Sequence, residues 1–479
     1  MLPKTIRNGM DKWWRGTCGG REVMIVALPL VASLLSWTIM NFVDRMFLLW
    51  HSQEAMAAAM PAGMVVFTLI CFPMGIAGYA NTFVAQYDGS GQHSQIGKIV
   101  WQAFFIGIAA TPLYLLTVYV APSLFQMAGH PPTIQAHEVT YYRAMIPGAG
   151  GMVCAVGLST FFSGRGKTNT VMFVDSAAAL LNVVLDYAWI FGKFGFAEFG
   201  ISGAGYATST CQWTRVAIYL FLLLRHADVN DGFGIRAGRT VSWSLLKRLF
   251  RFGGPEGLRM FVEVGAFSVF LMLIGALGKL EMTASTLAFN INSVAFVPLL
   301  GLGTAVSTLV GQQLGKNQPQ MAKRATLNSL TFAVLYTAVT GGFYTLLPDL
   351  MLIGHAAGSD PVEFAEVRSL TIVLLRYVAV YCLFDACVVV FSSALKGAGD
   401  TRFVLMTTLI FSPCFIAAAW LGRTILGWRI HGCWLVLTGW ICILGIIYAV
   451  RYRSGQWESM RVIEMDAQHE QPEMILADY

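Results

Sequence analysis

The feature that most constrains this chain is a series of twelve long apolar stretches separated by short polar connections. They fall near residues 24–50, 58–86, 99–121, 140–162, 170–192, 202–224, 250–277, 284–313, 325–347, 369–395, 403–422 and 432–450. A helix needs roughly 20 mostly apolar residues to cross a bilayer, and each stretch meets that length. The expected fold class is therefore all-α: a polytopic membrane protein of twelve transmembrane helices. Composition agrees, since 56% of the residues are hydrophobic and 12% are charged, against about 25% charged in soluble domains.

Charge placement gives an orientation. Lys98, Arg165, Lys167, Arg251, Lys316, Lys323, Arg324, Lys396 and Arg402 fall in alternate connections, with Arg451, Arg453 and Arg461 in the C-terminal tail. The connection near 225–249 adds Arg225, Arg236, Arg239, Lys247 and Arg248. The opposite connections hold Lys193, Lys279, Arg368, Arg423 and Arg429. Basic residues stay on the cytoplasmic side, so both termini are expected there, in a plasma membrane such as the bacterial inner membrane. Lys4, Arg7, Lys12, Arg15 and Arg21 precede a first apolar run too long for a signal-peptide core. Basic residues lying between spans do not call for nucleic acid. The nine cysteines include no CxxC pair and sit almost entirely in apolar runs, which fits small core side chains rather than disulfides or a metal site.

The basic connection divides the chain into halves. The expected organisation is a segment 1–23, a six-helix bundle 24–225, a linker 226–248, a second six-helix bundle 249–452 and a polar, flexible tail 453–479. The halves repeat each other. Thr82, Gln86 and Gly89 recur 226 residues later as Thr308, Gln312 and Gly315. Gly164, Gly166 and Thr168 follow the fourth span as Gly397, Gly399 and Thr401 follow the tenth. Halves that run in the same direction predict parallel repeats about an axis along the membrane normal, with a substrate path between them.

Charges within the spans are the candidate site, because each costs at least ~2.5–3.5 kcal/mol at the bilayer centre. Asp44 and Asp186 each lie six residues before the outer end of an expected span, at similar depth. Asn182 shares the helix face of Asp186 at i−4, and Thr208 lies at a comparable level. Two carboxylates, an amide oxygen and a hydroxyl suit Na⁺ or a shared proton, since two close carboxylates do not both ionise without cost. A buried polar network fixing helix packing is the plainer reading. Glu263, Tyr381 and Asp385 form a second expected cluster near mid-depth, where an aromatic face beside carboxylates suits a cation. Glu256 reads as an inner-surface residue and Asp175 as either a buried or a surface acid. Arg45, Arg143, Arg215, Arg259 and Arg376 also enter the spans, several within snorkelling reach of an interface.

The order of these motifs resembles the multidrug and toxic compound extrusion family. The resemblance rests on Asn41-Phe-Val-Asp44, on Asn182-Val-Val-Leu-Asp-Tyr-Ala-Trp-Ile-Phe-Gly192 and on Gly200-Ile-Ser-Gly-Ala-Gly-Tyr-Ala-Thr208. Phe261-Val-Glu-Val264, Val310-Gly-Gln-Gln-Leu-Gly315 and Leu395-Lys-Gly-Ala-Gly-Asp-Thr401 extend it over nearly the whole chain. It implies a V-shaped fold of two bundles and export of cationic or amphipathic drugs or metabolites in exchange for Na⁺ or H⁺. It also implies a cation site at Asp44, Asn182, Asp186 and Thr208, with Na⁺ at the first three. A second acidic site at Glu263, Tyr381 and Asp385 would follow the bacterial Na⁺-coupled branch. Arg45 departs from the small residue usual after the span 1 Asp. No cofactor beyond the coupling ion is implied, and the expected partners are small organic cations and membrane lipid, with the protein acting as a monomer. The rival reading is a lipid-linked sugar flippase of the same superfamily, for which cavity arginines and lysines should dominate. A channel is poorly motivated by the repeat. An enzyme is not expected, since no HExxH, GxSxG or Walker A motif is present.

Overall fold

The structure, a computed structural model, describes residues 13–127, 129–229, 231–356 and 361–464. The first part of the expected N-terminal segment and the tail beyond 464 lie outside the described residues. Twelve long helices account for most of the described residues: α1 Gly20–His51, α2 Gln53–Gly89, α3 Ile96–Thr117, α4 Pro132–Ser163, α5 Thr168–Ile190, α6 Ile201–Val229, α7 Trp243–Gly275, α8 Lys279–Gly315, α9 Pro319–Leu346, α10 Pro361–Ala398, α11 Thr401–Thr424 and α12 Ile430–Arg453. No strand occurs among the described residues. Two short helices, Ala121–Met127 and Pro348–Ala356, follow α3 and α9. The expected spans stop at 121 and 347, so sequence left both segments in the connections. Pro122 and Pro348 open them, at positions where a helix tolerates a missing N–H.

Eleven of the long helices contain a stretch long and apolar enough to cross a membrane. The exception is α6, whose Ser209, Trp213 and Arg215 have partners inside the first bundle. Pro147 breaks the hydrogen-bond ladder of α4, and Ser209 of α6 repairs it. Its hydroxyl donates to the Ala144 carbonyl at 2.7 Å and accepts from the Gly148 N–H at 3.1 Å. Such re-satisfaction by a neighbouring side chain is what makes a broken helix tolerable in lipid.

Each half packs in the same way. In the first, α4 is central and touches α2, α3 and α6, while α1 packs on α5. In the second, α10 touches α8, α9 and α12, while α7 packs on α11. The apolar stretches of α4 and α10 are both 72% buried, the highest share in their bundles. The bundles meet through α1 against α8, α2 against α7, and α2 against α8.

The repeated motifs form this meeting point. A side chain at Gly89 would collide with the backbone of Gln312, and one at Gly315 with the backbone of Gln86. Asn81 donates to Thr308 at 2.9 Å, and the hydroxyls of Thr82 and Ser307 are 3.3 Å apart. Gly166 and Gly399 take positive φ, +71° and +113°, a backbone region in which glycine has no steric cost. They turn the chain from α4 into α5 and from α10 into α11.

The apolar core shows where the bundles separate. One cluster runs through the first bundle and into the α8, α10 and α12 residues of the basic half, from Leu302 and Leu309 to Leu395 and Tyr448. The opposite half of the second bundle has its own cluster around Phe270, Leu287, Tyr381 and Trp434. The bundles thus share a core at the basic end and part toward the other, which makes the V.

The expected flexible tail differs from the structure up to residue 464. Trp457 is fully buried, stacked on Tyr452 with ring centroids 4.9 Å apart. The Val462 N–H donates to Gln86 Oε1 at 2.8 Å, and Arg461 reaches Asn317 at 3.2 Å. Arg248 bonds Glu464 at 2.8 Å, and Lys323 pairs with Glu458 at 2.8 Å. Buried Trp, Val and Ile side chains give this segment the apolar payment that a purely polar tail would lack.

Candidate functional site

In the first bundle the parallel helices α1 and α5 carry two polar layers. Ser33 donates to Asp175, and eleven residues further along both helices stand Asp44 and Asp186. At 1.5 Å per residue the layers are about 16 Å apart.

The Asp175 layer is closed. Arg215 of α6 pairs with Asp175 at 2.8 Å, Tyr219 donates to it at 3.0 Å, and Arg215 also reaches Gln212 at 2.8 Å. Every charge here has a partner, so this layer reads as a packing device. It also removes Arg215 from the set of free cavity cations that a lipid-linked sugar flippase would use.

The Asp44–Asp186 layer is open in the chemical sense. Asp44 is 6% exposed, and Asn182 and Asp186 are fully buried. Tyr141 of α4 donates to Asp44 Oδ2 at 3.3 Å. Asn182, with its amide oriented to suit both neighbours, donates to Asp186 Oδ2 at 3.0 Å and accepts from the Thr208 backbone N–H at 3.3 Å. Thr208 therefore meets this layer through its backbone rather than the hydroxyl expected from sequence. Asp44 Oδ1 and Asp186 Oδ1 are buried with no hydrogen-bond partner. Burying an unsatisfied acceptor costs about 1–3 kcal/mol, more when charged. An unsatisfied carboxylate oxygen is the kind of group that a hard cation or a proton satisfies. Arg45 is exposed while Asp44 is buried, so the two leave α1 on different faces.

Tyr141 was not anticipated. It is one of two adjacent tyrosines, and sequence gives no sign of which faces α1.

The second cluster has partners that sequence did not single out. Tyr381 and Asp385 lie one turn apart on α10 and are 2% and 9% exposed. Asn292 of α8 donates to the Tyr381 hydroxyl at 3.2 Å. Glu263 has hydrogen-bond partners of its own: Arg259 reaches it at 2.5 Å, and the Thr408 hydroxyl of α11 donates to it at 3.4 Å. Arg259 also bonds Glu256, which Lys396 of α10 meets at 3.0 Å. Glu256 is thus a largely buried member of an ion-pair chain, not an inner-surface residue. Its i+3 and i+7 relation to Arg259 and Glu263 places all three on one helix face. No group of three or more His, Cys, Asp or Glu side chains suited to a metal occurs among the described residues.

Fold and site together define a two-bundle polytopic membrane protein with paired intramembrane acids and reciprocal contacts about a pseudo-two-fold axis. The chain belongs to the MatE family, whose model matches residues 29–188 and 255–421. It is 28% identical over 391 residues to Multidrug resistance protein MdtK of Pectobacterium atrosepticum, covering 81% of this chain and 84% of that one. MdtK of Yersinia pestis is also 28% identical, over 389 residues, with 81% and 84% covered. Among solved structures, an outward-facing multidrug resistance MATE family transporter superposes with a TM-score of 0.83 at 18% identity, over 93% of this chain and 97% of that one. The eukaryotic MATE transporter AtDTX14 superposes with a TM-score of 0.81 at 20% identity, over 91% and 96%. The V-shaped two-bundle architecture is that of MATE transporters.

Proposed function

We propose that this chain is a secondary active antiporter of the inner membrane, exporting cationic or amphipathic small molecules in exchange for Na⁺ or H⁺. The observation that carries the reading is the buried Asp44–Asp186 layer, in which each carboxylate keeps one oxygen unsatisfied. A packing network of the Asp175 kind leaves no such oxygens. The multidrug resistance names of the MdtK relatives support the substrate class.

In this reading both termini are cytoplasmic, and the V opens away from the cytoplasm. The substrate is released from the opening between the bundles, and a cation then enters the Asp44–Asn182–Asp186 layer. Neutralising these carboxylates lowers the cost of moving α1 and α5 against α4, and the bundles reclose on the other side. An ion drives this only through unequal affinity for the two states. Asp385 and Glu263 in the second bundle receive the cationic group of the substrate.

Accumulation of a fluorescent organic cation in cells lacking their own efflux pumps tests the reading. Wild-type protein should lower accumulation, and Asp44→Asn or Asp186→Asn should restore it at equal expression. Unchanged export by both variants would refute the assignment of the layer.

A further inference from the structure

A chain of alternating charges runs along α7, and its members are held unequally. Arg259 grips Glu256 with two arms, Nε to Oε2 at 2.8 Å and Nη2 to Oε1 at 2.7 Å. It touches Glu263 with one, Nη1 to Oε2 at 2.5 Å. Lys396 adds a second cation to Glu256. The side chains of Glu256, Arg259 and Lys396 are 12%, 16% and 18% exposed, whereas that of Glu263 is 36% exposed. Two acids and two bases balance, which explains why the cluster is tolerated in a span. Balance does not explain why the most accessible acid is held by a single arm while the forked, geometrically specific grip is spent on the buried one.

We propose that Arg259 is a tethered counter-cation that competes with the exported molecule for Glu263, and thereby sets which cations the second bundle accepts. This rests on the export reading above. An arriving cation takes Glu263 without stranding the guanidinium, because the fork to Glu256 remains. Removing one partner of an ordinary buried pair leaves an uncompensated charge; here the second carboxylate prevents that. The ligand has to replace an N–H···O bond as well as a charge, so cations bearing N–H donors, such as amidines and protonated amines, are preferred over donor-less phosphonium ions.

The same exchange is reported to the seam between the bundles. With Glu263 occupied, Arg259 and Lys396 share Glu256 alone, leaving one surplus positive charge. Lys396 stands at that seam: its carbonyl accepts from Tyr79 of α2 at 2.8 Å, and the next carbonyl, Gly397, accepts from Gln86 at 2.9 Å.

Equilibrium binding of the fluorescent bis-amidine DAPI to the full-length protein in nanodiscs, with no gradient, tests this. Arg259→Gln should bind DAPI roughly tenfold more tightly, the size expected for one charge-assisted hydrogen bond. The gain should vanish in Arg259→Gln/Glu263→Gln, and tetraphenylphosphonium should gain less. Arg259→Lys, which keeps the charge but cannot fork, should fall between, and it carries the test if Arg259→Gln does not fold. Wild-type or weaker DAPI binding by folded variants, absence of binding in all of them, or a gain that persists without Glu263 would overturn the proposal. Failure of the export reading looks different: the binding differences persist while wild-type protein moves no organic cation in cells.

Discussion

Gln86 donates to the carbonyl of Gly397 at 2.9 Å, and its repeat counterpart Gln312 donates to the carbonyl of Gly164 at 3.2 Å. The motif that ends the second helix of each bundle thus binds the motif that ends the fourth helix, once across the seam and once in the reciprocal direction. Two contacts related by one axis make the basic end a joint at which the bundles close as equals.

The closed joint predicts a cross-link. In a variant whose nine cysteines are replaced, Thr82→Cys with Ser307→Cys should form a disulfide under mild oxidation, since the native hydroxyls are 3.3 Å apart. Adding Gly315→Leu should abolish it, because any side chain there meets the backbone of Gln86. Cross-linking that survives Gly315→Leu would place the joint elsewhere.

The two layers of the first bundle should respond oppositely to neutralisation. Arg215→Met strands Asp175 and should destabilise by about 3–5 kcal/mol, with recovery when Asp175→Asn is added. Asp44→Asn removes a charge with an orphan oxygen and should leave the thermal midpoint in detergent unchanged or raised. Thermal unfolding of the purified variants reads both effects.

Tyr141→Phe removes the hydrogen bond to Asp44 while keeping the ring. A bond to a charged group is worth about 1.5–3 kcal/mol, so the concentration of coupling ion needed for half-maximal export should change by roughly tenfold. Substrate binding at the second bundle should not change. Titration of the ion against export rate, beside DAPI binding, separates the two.

The docked tail should matter for stability rather than for chemistry. Trp457→Ala leaves a cavity beside Tyr452 and costs about 3–5 kcal/mol if the site does not collapse. A lowered thermal midpoint with retained ion dependence is the expected result, measured by unfolding and by export in parallel.

Much of this was legible in the sequence because lipid imposes a strong code. Length and apolarity located all twelve long helices, although α6 is more polar than the sequence reading allowed and is the one without a stretch apolar enough to cross a membrane. The Gln86 and Gln312 motifs were visible as a repeat, although sequence could not say that they bind each other. Asp44 and Asp186 stood out because an acid in an apolar run is costly. What escaped were contacts set by helix rotation and depth: Tyr141 on Asp44, Asn292 on Tyr381, and the packing of Trp457 and Val462 under the joint. The pairing of Glu256, Arg259 and Glu263 was available from their spacing. It was obscured by reading Glu256 as a surface residue near a helix end, whereas α7 begins at Trp243 and leaves Glu256 inside the bundle.

The most direct test of the account is efflux of a fluorescent organic cation from proteoliposomes under an imposed Na⁺ or pH gradient. Wild-type protein should be compared with Asp44→Asn, Asp186→Asn and Asp385→Asn. The account predicts movement that follows one of the two gradients and is lost in the Asp44 and Asp186 variants. Movement indifferent to both gradients, with every variant matching wild type, would contradict it.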